Sequence, residues 1–293
     1  MVVITGASSG IGRATAHRFA EHGARLVVAA RRVQPLDQAV RECVLLGGEA
    51  TAVQVDVSNP ASMESLARRA VESYGRVDIW VNNAAVSLYA RVDDGPLEVH
   101  RRVIETNLLG YLYGARLAVR IFREQGRGVL VNVSSAAAYV GQPYMSAYVA
   151  SKFGIRGLSE CIRQEVSDCP EIHVCTVLPG STDTPLFQHA GNYIGRAVQP
   201  LKPITDARKV ADVIVATVER PQRESFVDIA RVLPVLKGIV PGWIESYVGK
   251  LVKKRQFRDE QAAPSSGNLF EPMMEGDDVS GGWRIHAGVG STK

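Results

Sequence analysis

The sequence has few cysteines, and its histidines do not show the spacing of a metal site. The four cysteines, Cys43, Cys161, Cys169 and Cys175, form no CxxC pair and lie in or beside apolar segments. Disulfide frameworks are typical of shorter chains that are richer in cysteine, so we expect reduced thiols that pack as small apolar side chains. The six histidines form no HExxH or HxxxH pair. Because zinc sites on helices commonly use such spacings, we predict no metal site.

A strong excess of charge and long apolar runs are also missing. The chain has 34 basic and 30 acidic residues, for a formal net charge of +4. This charge is small for the chain length and is not concentrated in a patch within the first two hundred residues, so nucleic acid is not an expected partner. A membrane-spanning helix needs about 18 or more consecutive apolar residues, and the sequence contains no such run. The first residues lack the basic segment of a secretory signal, and we therefore expect a cytoplasmic protein.

Short β-branched runs alternate with longer amphipathic stretches over the first 230 residues. The runs are mostly continuous, as expected for strands covered on both faces. Repeated strand–helix–strand units require right-handed crossovers, which predicts an α/β fold with a Rossmann-like, doubly wound parallel sheet in three layers. The predicted strands are Val2–Ile4, Leu26–Ala30, Ala52–Val55, Val77–Val81, Val129–Val133, Ile172–Leu178 and Phe226–Ile229.

A glycine-rich turn joins the first predicted strand to the first predicted helix. Residues 5–12 read TGASSGIG. Glycines let the backbone approach a phosphate closely, and the free N–H groups of a helix N-terminus bind a pyrophosphate. A tight turn without a ligand could use the same glycines, but the position at the first strand–helix junction favours a nucleotide site. The predicted contacts from this turn are Gly6, Ser8, Ser9, Gly10, Ile11 and Gly12.

The turn resembles the cofactor motif of the short-chain dehydrogenase/reductase family, in its single-domain branch. The family's other motifs follow in order: Asn82-Asn83-Ala84-Ala85 resembles NNAG, Ser135, Tyr148 and Lys152 match S…YxxxK, and Pro179-Gly180 followed by Thr184 matches PG. The similarity covers roughly residues 1–230. Two departures are visible: Ala85 stands where the family usually has glycine, and relatives usually have several residues more before the first strand.

The end of the second predicted strand bears on the choice of nicotinamide cofactor. A site that prefers NAD generally has an acidic residue there, which accepts a hydrogen bond from the ribose 2′-OH. This chain has Arg31 and Arg32 instead. An arginine can bind a 2′-phosphate through charge-assisted hydrogen bonds, although both residues could also be solvated loop charges. Relatives with an arginine here tend to use NADP, so the resemblance implies a preference for NADP(H) over NAD(H).

The resemblance assigns further contacts with the cofactor. It implies that Asp56 and Val57, after the third strand, contact the adenine. Thr184 has an alternative interpretation as the N-cap of a helix that begins at Pro185. The other contacts that the resemblance implies are Asn83, Ala84, Ala85, Pro179, Gly180, Thr182 and Thr184, together with Tyr148 and Lys152.

Tyr148 and Lys152 lie four residues apart in a predicted helix, Tyr144 to Val166, so their side chains share one helix face. A neighbouring ammonium favours the phenolate and lowers the tyrosine pKa from its ordinary value of about 10, which helps proton exchange. Ser135 follows the fifth strand and is expected at the carboxyl edge of the sheet.

The resemblance implies a role for each residue of this group. Tyr148 exchanges a proton with the substrate oxygen, Ser135 holds that oxygen, and Lys152 also binds the nicotinamide ribose. Asn107, in the helical stretch Val103 to Val119, is similar to the family asparagine that positions a water in the proton relay. Proximity alone would not choose Tyr148 over Tyr139 or Tyr144, nor Ser135 over Ser134, but the spacing of the family motif does. We interpret Ser134 as structural.

Three parts of the chain differ in composition. Residues 1–230 form the predicted NADP-binding catalytic domain, residues 231–258 a helical extension, and residues 259–293 a flexible tail that buries too little apolar surface to order itself. The tail is similar to the C-termini of a bacterial subgroup of long family members. Residues 243–256 have three interpretations: packing over the cleft or a partner subunit, a peripheral membrane contact through Lys253-Lys254-Arg255, or an ordinary helix.

The motifs together predict an NADP-dependent oxidoreductase that interconverts a carbonyl and a primary or secondary alcohol of a small molecule by hydride transfer. We expect a homodimer or homotetramer. The alternative is a catalytically silent nucleotide sensor or scaffold on the same fold, which typically lacks the tyrosine or the lysine. An extended epimerase or dehydratase is disfavoured because its glycine spacing differs and the C-terminal region is small. The loop Leu186 to Pro203 is the expected determinant of substrate choice.

Overall fold

The computed structural model describes residues 1–284, without the side chains of residues 229 and 230. The helices in this part of the chain are α1 (Gly10–Glu21), α2 (Val33–Leu45), α3 (Pro60–Tyr74), α4 (Leu97–Ile104), α5 (Gly110–Gln125), α6 (Ser146–Glu165), α7 (Ala207–Glu219), α8 (Leu233–Ile239) and α9 (Pro241–Arg255). The strands are β1 (Val2–Thr5), β2 (Arg25–Ala30), β3 (Glu49–Gln54), β4 (Ile79–Asn82), β5 (Leu88–Tyr89), β6 (Gly128–Val133), β7 (Ile172–Leu178), β8 (Thr182–Asp183), β9 (Gly191–Asn192), β10 (Arg196–Val198), β11 (Thr205–Asp206), β12 (Glu224–Phe226) and β13 (Phe257–Gln261).

Seven of these strands form one parallel sheet in the order β3-β2-β1-β4-β6-β7-β12. The chain reverses its direction of travel across the sheet between β1 and β4, and ligands of open α/β sheets bind beyond the carboxyl ends of strands at such a switch point. The predicted α/β fold class, a doubly wound Rossmann-like sheet, is confirmed. Each of the seven predicted strands corresponds to one strand of this sheet.

Successive residues of the central strands face opposite helix layers, which explains the continuous apolar runs. Trp80 and Leu130 lie on the face covered by α3 and α5, where Phe122 is fully buried. Val81 and Val131 lie on the other face, in the cluster that includes Phe19 of α1 and Val210 of α7. The core therefore has two layers of apolar side chains, and the sheet between them is rigid enough to hold loops at its carboxyl edge in place.

Helix boundaries follow local capping chemistry. Asn59 accepts a hydrogen bond from the Ser62 amide at 3.1 Å, Pro60 occupies the first turn of α3, and Gly75 ends the helix with a φ of +73°. The predicted helical stretch Val103 to Val119 is helical throughout, but it is not uniformly α-helical. A π-helical segment, Glu105–Leu109, separates α4 from α5, and apolar periodicity cannot predict such a local change of helix type.

The C-terminal region differs from the predicted flexible tail. Strand β13 pairs antiparallel with β10, and residues 262–284, here called the C-terminal strap, continue across the catalytic domain. Leu269 of the strap is fully buried, and Asn192 pairs with Ser265 in an isolated bridge. Composition did not indicate this packing because many contacts of the strap are made by its backbone carbonyls, which have no sequence signature. Residues 285–293, the rest of the predicted tail, lie outside the described residues.

Helix α9 buries one side and exposes the other. Ile244 and Val252 are buried, whereas Trp243 and Tyr247 are 60% and 51% exposed and stack with ring centres 5.4 Å apart. Among residues 1–284, no helix is both long and apolar enough to cross a membrane. The same part of the chain contains no cluster of three or more histidine, cysteine or acidic side chains that could hold a metal ion.

Candidate active site

The glycine-rich turn packs tightly against the chain that follows β4. Gly6 and Gly10 have φ values of +69° and +54°, in the left-handed region that favours glycine. A Cβ on Gly6 would lie 2.7 Å from the Cα of Ala84, and one on Gly12 would collide with the Gly6 carbonyl oxygen. Only glycine therefore allows this close approach of two backbone segments beside the N-terminus of α1.

Asn83 and Thr5 fix the turn from both sides. The Asn83 amide nitrogen Nδ2 donates to the carbonyl oxygens of Thr5 and Gly6 at 3.0 and 3.2 Å. The Thr5 hydroxyl accepts from the backbone amides of Asn83 and Ala84 at 3.0 and 3.2 Å. The Asn83 side chain thus holds the turn in shape, and its backbone, with that of Ala84 and Ala85, borders the cleft.

One cleft at the carboxyl edge of the sheet brings together almost all of the residues predicted from sequence. Gly12 and Asn107 are the two that do not line it. Those that do are Gly6, Ser8, Ser9, Gly10, Ile11, Arg31, Arg32, Asp56, Val57, Asn83, Ala84, Ala85, Ser135, Tyr148, Lys152, Pro179, Gly180, Thr182 and Thr184. The glycine turn follows β1, the two arginines follow β2, and Tyr148 and Lys152 lie on α6, so the cleft spans the switch point of the sheet.

Tyr148 and Lys152 are buried together on the inner face of α6. The Lys152 Nζ donates to the Val133 carbonyl at 3.0 Å and lies 5.5 Å from the centre of the Tyr148 ring. Burial lowers the pKa of Lys152 to about 7. Burial also raises the pKa of Tyr148 to about 12, although a hydrogen bond with Ser135 acts in the opposite direction. The expected lowering of the tyrosine pKa is therefore wrong for this state, because desolvation outweighs stabilisation of the phenolate.

The two candidate serines make different contacts. Ser135 accepts from the Ala137 amide at 3.1 Å and lines the cleft beside Tyr148. The Ser134 hydroxyl donates to the Lys152 backbone carbonyl at 3.0 Å, so it joins the end of β6 to α6. This contact supports the interpretation of Ser134 as structural.

The two rival tyrosines lie outside the cleft. Tyr139 donates to the Glu224 carboxylate, and the Arg156 guanidinium lies 3.9 Å from its ring centre. Tyr144 packs edge-to-face on Phe257 with ring centres 5.5 Å apart. Neither of them lines the cleft, which Tyr148 does.

Asn107 is fully buried in the π-helical segment between α4 and α5. Its side chain accepts from the Val86 amide and donates to the Val86 carbonyl, both at 2.9 Å, and also donates to Ser151 at 3.3 Å. These bonds tie the chain after β4 to the π segment and to α6. The predicted role of Asn107 in holding a water does not follow from these hydrogen bonds and stays a prediction.

Arg31 and Arg32 are not solvated loop charges. The terminal nitrogens of Arg31 donate to the carbonyls of Asn268 at 2.6 Å and Phe270 at 3.1 Å. Arg32 donates to the Met273 carbonyl at 3.0 Å. Burial lowers the pKa of both guanidinium groups. The carbonyl oxygens accept hydrogen bonds from the two guanidinium groups but carry no negative charge. Two positive charges therefore remain beside the cleft, where they would stabilise a bound phosphate.

Asp56 forms an ion pair that the sequence did not predict. Arg102 donates to its carboxylate at 2.7 Å, and the Ser58 hydroxyl donates at 2.7 Å. Burial acts to raise the pKa of Asp56, but the hydrogen bonds from Ser58 and Arg102 outweigh it and lower the pKa. Arg102 also donates to the Leu269 carbonyl at 2.9 Å, which joins the Asp56 corner of the cleft to the strap.

The segment after β8 forms a turn. The His189 amide donates to the Pro185 carbonyl at 3.0 Å, and within the described residues no helix begins at Pro185. The interpretation of Thr184 as a helix N-cap is therefore wrong. The side chains of Thr182 and Thr184 instead face local carbonyls, at Gly180 and at Thr182.

Sequence reasoning missed the parts of the cleft that come from distant segments. Near Tyr148 these are Tyr89, Met145, Phe187, Leu201 and Gln256, and at the arginine end they are Asn268, Pro272 and Met273 of the strap. The sequence signals for the strap were a few apolar residues within a polar tail: Leu269-Phe270, Met273-Met274, Val279 and Trp283. Phe187 and Leu201 fall in the loop that was expected to influence substrate choice.

Comparisons with known proteins give the same family as the motifs. The family model described as short chain dehydrogenase matches residues 1–193. An uncharacterized oxidoreductase of Bacillus subtilis, YxnA, is 33% identical over 268 residues, which is 90% of this chain and 75% of the relative. The 3beta-hydroxysteroid dehydrogenase 1 of Eggerthella lenta is 37% identical over 187 residues, 63% of this chain and 71% of that enzyme.

Solved structures share the fold. An alcohol dehydrogenase from the archaeon Thermococcus sibiricus, complexed with 5-hydroxy-NADP, has a TM-score of 0.68 at 27% identity and covers 77% of this chain and 94% of its own. A 3-ketoacyl-ACP reductase from Sinorhizobium meliloti has a TM-score of 0.66, also at 27% identity, and the match covers 77% of this chain and 96% of the reductase. The predicted family is thus confirmed. The chain belongs to the short-chain dehydrogenase family and is an oxidoreductase.

Proposed function

We propose that the protein is an NADP-dependent oxidoreductase that interconverts a carbonyl and a primary or secondary alcohol, with Tyr148 as the proton donor and acceptor. The observation that carries this proposal is the arrangement of one cleft. Ser135, Tyr148 and Lys152 meet at one end, and the arginines Arg31 and Arg32 border the other, with the glycine turn between them. This order suits a dinucleotide laid along the carboxyl edge of the sheet.

The chain's own residues control the proton. When bound, the nicotinamide cofactor supplies or accepts the hydride. Burial keeps Tyr148 protonated at neutral pH, so its phenol is ready to donate a proton to the oxygen of a carbonyl substrate. Ser135 hydrogen-bonds with that phenol and is placed to hold the same oxygen. In the reverse direction the tyrosinate accepts the proton from the alcohol, and the Lys152 ammonium stabilises this anion.

Lys152 is anchored for a second task. Its Nζ uses one donor on the Val133 carbonyl, which leaves two N–H groups on the ammonium. We propose that these bind the nicotinamide ribose. An electron-rich ligand there would favour the charged form, so the pKa of Lys152 would rise above the value of about 7 that burial sets.

The preference for NADP(H) is supported by the charges at the end of β2. Arg31 and Arg32 border the cleft, and their hydrogen bonds go to neutral carbonyl oxygens of the strap. Asp56 and Glu271 act on Arg31, and Asp277 acts on Arg32, only through longer-range charge attraction. A 2′-phosphate would add a direct charge-assisted contact, and no acidic side chain immediately follows β2 to repel it. The solved alcohol dehydrogenase from Thermococcus sibiricus, complexed with 5-hydroxy-NADP, agrees with this proposal.

The walls around Tyr148 favour a mostly apolar substrate. Met145, Phe187 and Leu201 line the cleft, and Gln142 and Gln256 add amide groups. Such a lining binds an apolar body and leaves a few polar positions to orient it. The name of the 3beta-hydroxysteroid dehydrogenase relative is compatible with a bulky apolar alcohol. We therefore propose an apolar ketone or its alcohol as the substrate class.

The second candidate function is a nucleotide sensor without turnover. The chain retains both Tyr148 and Lys152, which such proteins typically lose, so we favour the enzyme. The deciding experiment measures NADPH oxidation with a panel of apolar ketones and aldehydes, using Tyr148→Phe as the control. Turnover that disappears in Tyr148→Phe supports the enzyme, whereas NADPH binding without turnover of any compound favours the sensor.

The helical extension contributes to the cleft and also has an exposed side. Gln256, at the end of α9, lines the cleft, which supports the interpretation that α9 packs over the substrate. Trp243 and Tyr247, nearer the beginning of α9, are exposed, and the last turn of the helix is basic. We propose that this side contacts either a partner subunit in a homodimer or homotetramer, or an anionic membrane surface from the cytoplasmic side.

A further inference from the structure

The C-terminal strap crosses the arginine end of the cleft and then reaches the glycine turn. Arg31 donates to the carbonyls of residues 268–270, and Arg32 donates to those of Met273, Glu275 and Gly276. Arg13 donates to the Asp277 carbonyl, and the Gly10 amide donates to the Asp278 carbonyl at 3.0 Å. The strap therefore lies along the same elements that are proposed to hold the phosphates of a dinucleotide.

Two apolar side chains anchor the strap on either side of this crossing. Leu269 is fully buried in the cluster that contains Val103, Tyr148 and Phe257. Val279 is 6% exposed and packs beside Ala14, Ala207 and Ala211 between α1 and α7. Each anchor removes apolar surface from water, so detaching the strap costs more than exchanging its carbonyl bonds with solvent.

The far end of the strap is fastened to the segment that follows β7. The Asp183 carboxylate accepts from the amides of Gly281 at 3.1 Å and Trp283 at 2.8 Å, and from the Ser280 hydroxyl at 2.8 Å. The Trp283 indole donates to the Thr184 carbonyl at 3.2 Å. Thr182 and Thr184, which the family resemblance assigns to contacts with the cofactor, flank this attachment point in sequence.

The strap borders the cleft without filling it. Asn268, Pro272 and Met273 line the same space as Gly6 and Tyr148. A nucleotide bound along the glycine turn and the two arginines would therefore lie between the sheet edge and the strap. Asn268, Pro272 and Met273 of the strap would then border the adenosine end of the nucleotide.

From these contacts we infer that the C-terminal strap is a gate for nucleotide exchange. The strap retains the nucleotide between the arginines and the Asp183 attachment, and release requires that Leu269 and Trp283 detach. This inference rests on the proposed nucleotide site and adds what controls entry to and exit from it. The consequence is slow nucleotide release, set by opening of the strap rather than by the bonds that hold the nucleotide.

The test measures release of NADPH from the full-length protein by stopped-flow fluorescence, with excess NADP+ as the displacing ligand. Leu269→Ala removes a fully buried side chain, and Trp283→Ala removes the indole that donates to the Thr184 carbonyl. We expect release about tenfold faster or more in each variant, because losing either contact lowers the barrier to opening. Met274→Ala is the matched control, since Met274 lies on the same strap but is 79% exposed. Its release rate should stay within about twofold of the unaltered protein.

Hydrogen exchange of the unaltered protein gives a second readout that needs no variant. NADPH should slow exchange of the Gly281 and Trp283 amides, which donate to Asp183 only while the strap is closed. The gate alone would be overturned by either of two results. One is an NADPH release rate that is the same in Leu269→Ala, Trp283→Ala and the unaltered protein, and the other is a hydrogen-exchange rate of the Gly281 and Trp283 amides that NADPH does not change. Failure of the unaltered protein to bind NADPH would overturn the proposed function and the gate with it.

Discussion

The ammonium of Lys152 lies 5.5 Å from the centre of the Tyr148 ring, one helical turn along α6, and both side chains are buried. Because the two side chains are buried side by side, the ionisation of each depends on the charge of the other. Burial disfavours the ammonium and the phenolate separately, and each charge is most easily accommodated when the other is present. Proton exchange at Tyr148 is therefore tied to the protonation of Lys152.

Tyr148→Phe removes the proton donor and leaves the ring in place. We expect turnover to fall by about two to four orders of magnitude, which is the usual contribution of general acid–base catalysis. Affinity for NADPH, measured by fluorescence titration, should change by less than about threefold because the backbone and Lys152 are retained. Tyr144→Phe is the control, as it deletes a hydroxyl four residues away and outside the cleft. Equal losses in the two variants would contradict the assignment.

The buried Lys152 also predicts how stability depends on pH. Its pKa is about 7 in the folded protein and about 10.4 when the chain is unfolded. Between these values the unfolded state binds more protons, so the Lys152 contribution to the free energy of unfolding rises with pH from about 7 to about 10. Below pH 7 both states hold the proton and the contribution is flat.

Lys152→Met tests this dependence because it keeps a long side chain without a titratable group. Denaturant unfolding of the ligand-free protein at several pH values should give a steeper rise between pH 7 and pH 10 for the unaltered chain than for the variant. Parallel curves would show that Lys152 is not desolvated in the folded protein. NADPH should reduce the difference between the two curves if it binds the ammonium.

Much of the fold was predictable from the sequence because its signals are local. Continuous β-branched runs gave the seven strands of the sheet. The glycine turn and the Ser135, Tyr148 and Lys152 spacing gave most of one cleft. These features could be predicted because each depends on residues within one element, or on a family motif whose order along the chain is preserved.

The rest depended on contacts between distant parts of the chain. Arg31 binds carbonyls more than 230 residues away, and a backbone carbonyl has no sequence signature. The pairing of Arg102 with Asp56 likewise joins two elements that no short motif connects. The predicted lowering of the Tyr148 pKa failed because spacing shows a neighbouring ammonium but does not show the burial of both groups.

Arg31→Asp tests the cofactor preference. We expect NADPH affinity to fall relative to NADH affinity by a factor of about ten or more, since a charge-assisted contact is replaced by repulsion from the 2′-phosphate. Arg31 also holds the strap, but loosening the strap affects both cofactors, so the ratio of their dissociation constants isolates the phosphate contact. Arg25→Asp, at the opposite end of β2, carries the same charge change away from the cleft. An unchanged ratio for Arg31→Asp would refute the preference.

The exposed side of α9 leads to the last prediction. Trp243 and Tyr247 stack in parallel on the surface, and the last turn of the helix carries Lys253, Lys254 and Arg255. If this side meets an anionic membrane, the full-length protein should co-sediment with phosphatidylserine vesicles and not with neutral ones, because both apolar burial and charge contribute.

Replacing Trp243 and Tyr247 with serine should abolish that co-sedimentation while NADPH binding is unchanged, since neither residue lines the cleft. Lys253→Glu with Lys254→Glu should weaken it and make the remainder insensitive to salt. If instead the unaltered protein binds no vesicle and its oligomeric state, measured by light scattering, drops in the serine variant, the exposed side of α9 is a contact between subunits. That result would refute membrane binding and would place Trp243 and Tyr247 at the centre of a subunit interface.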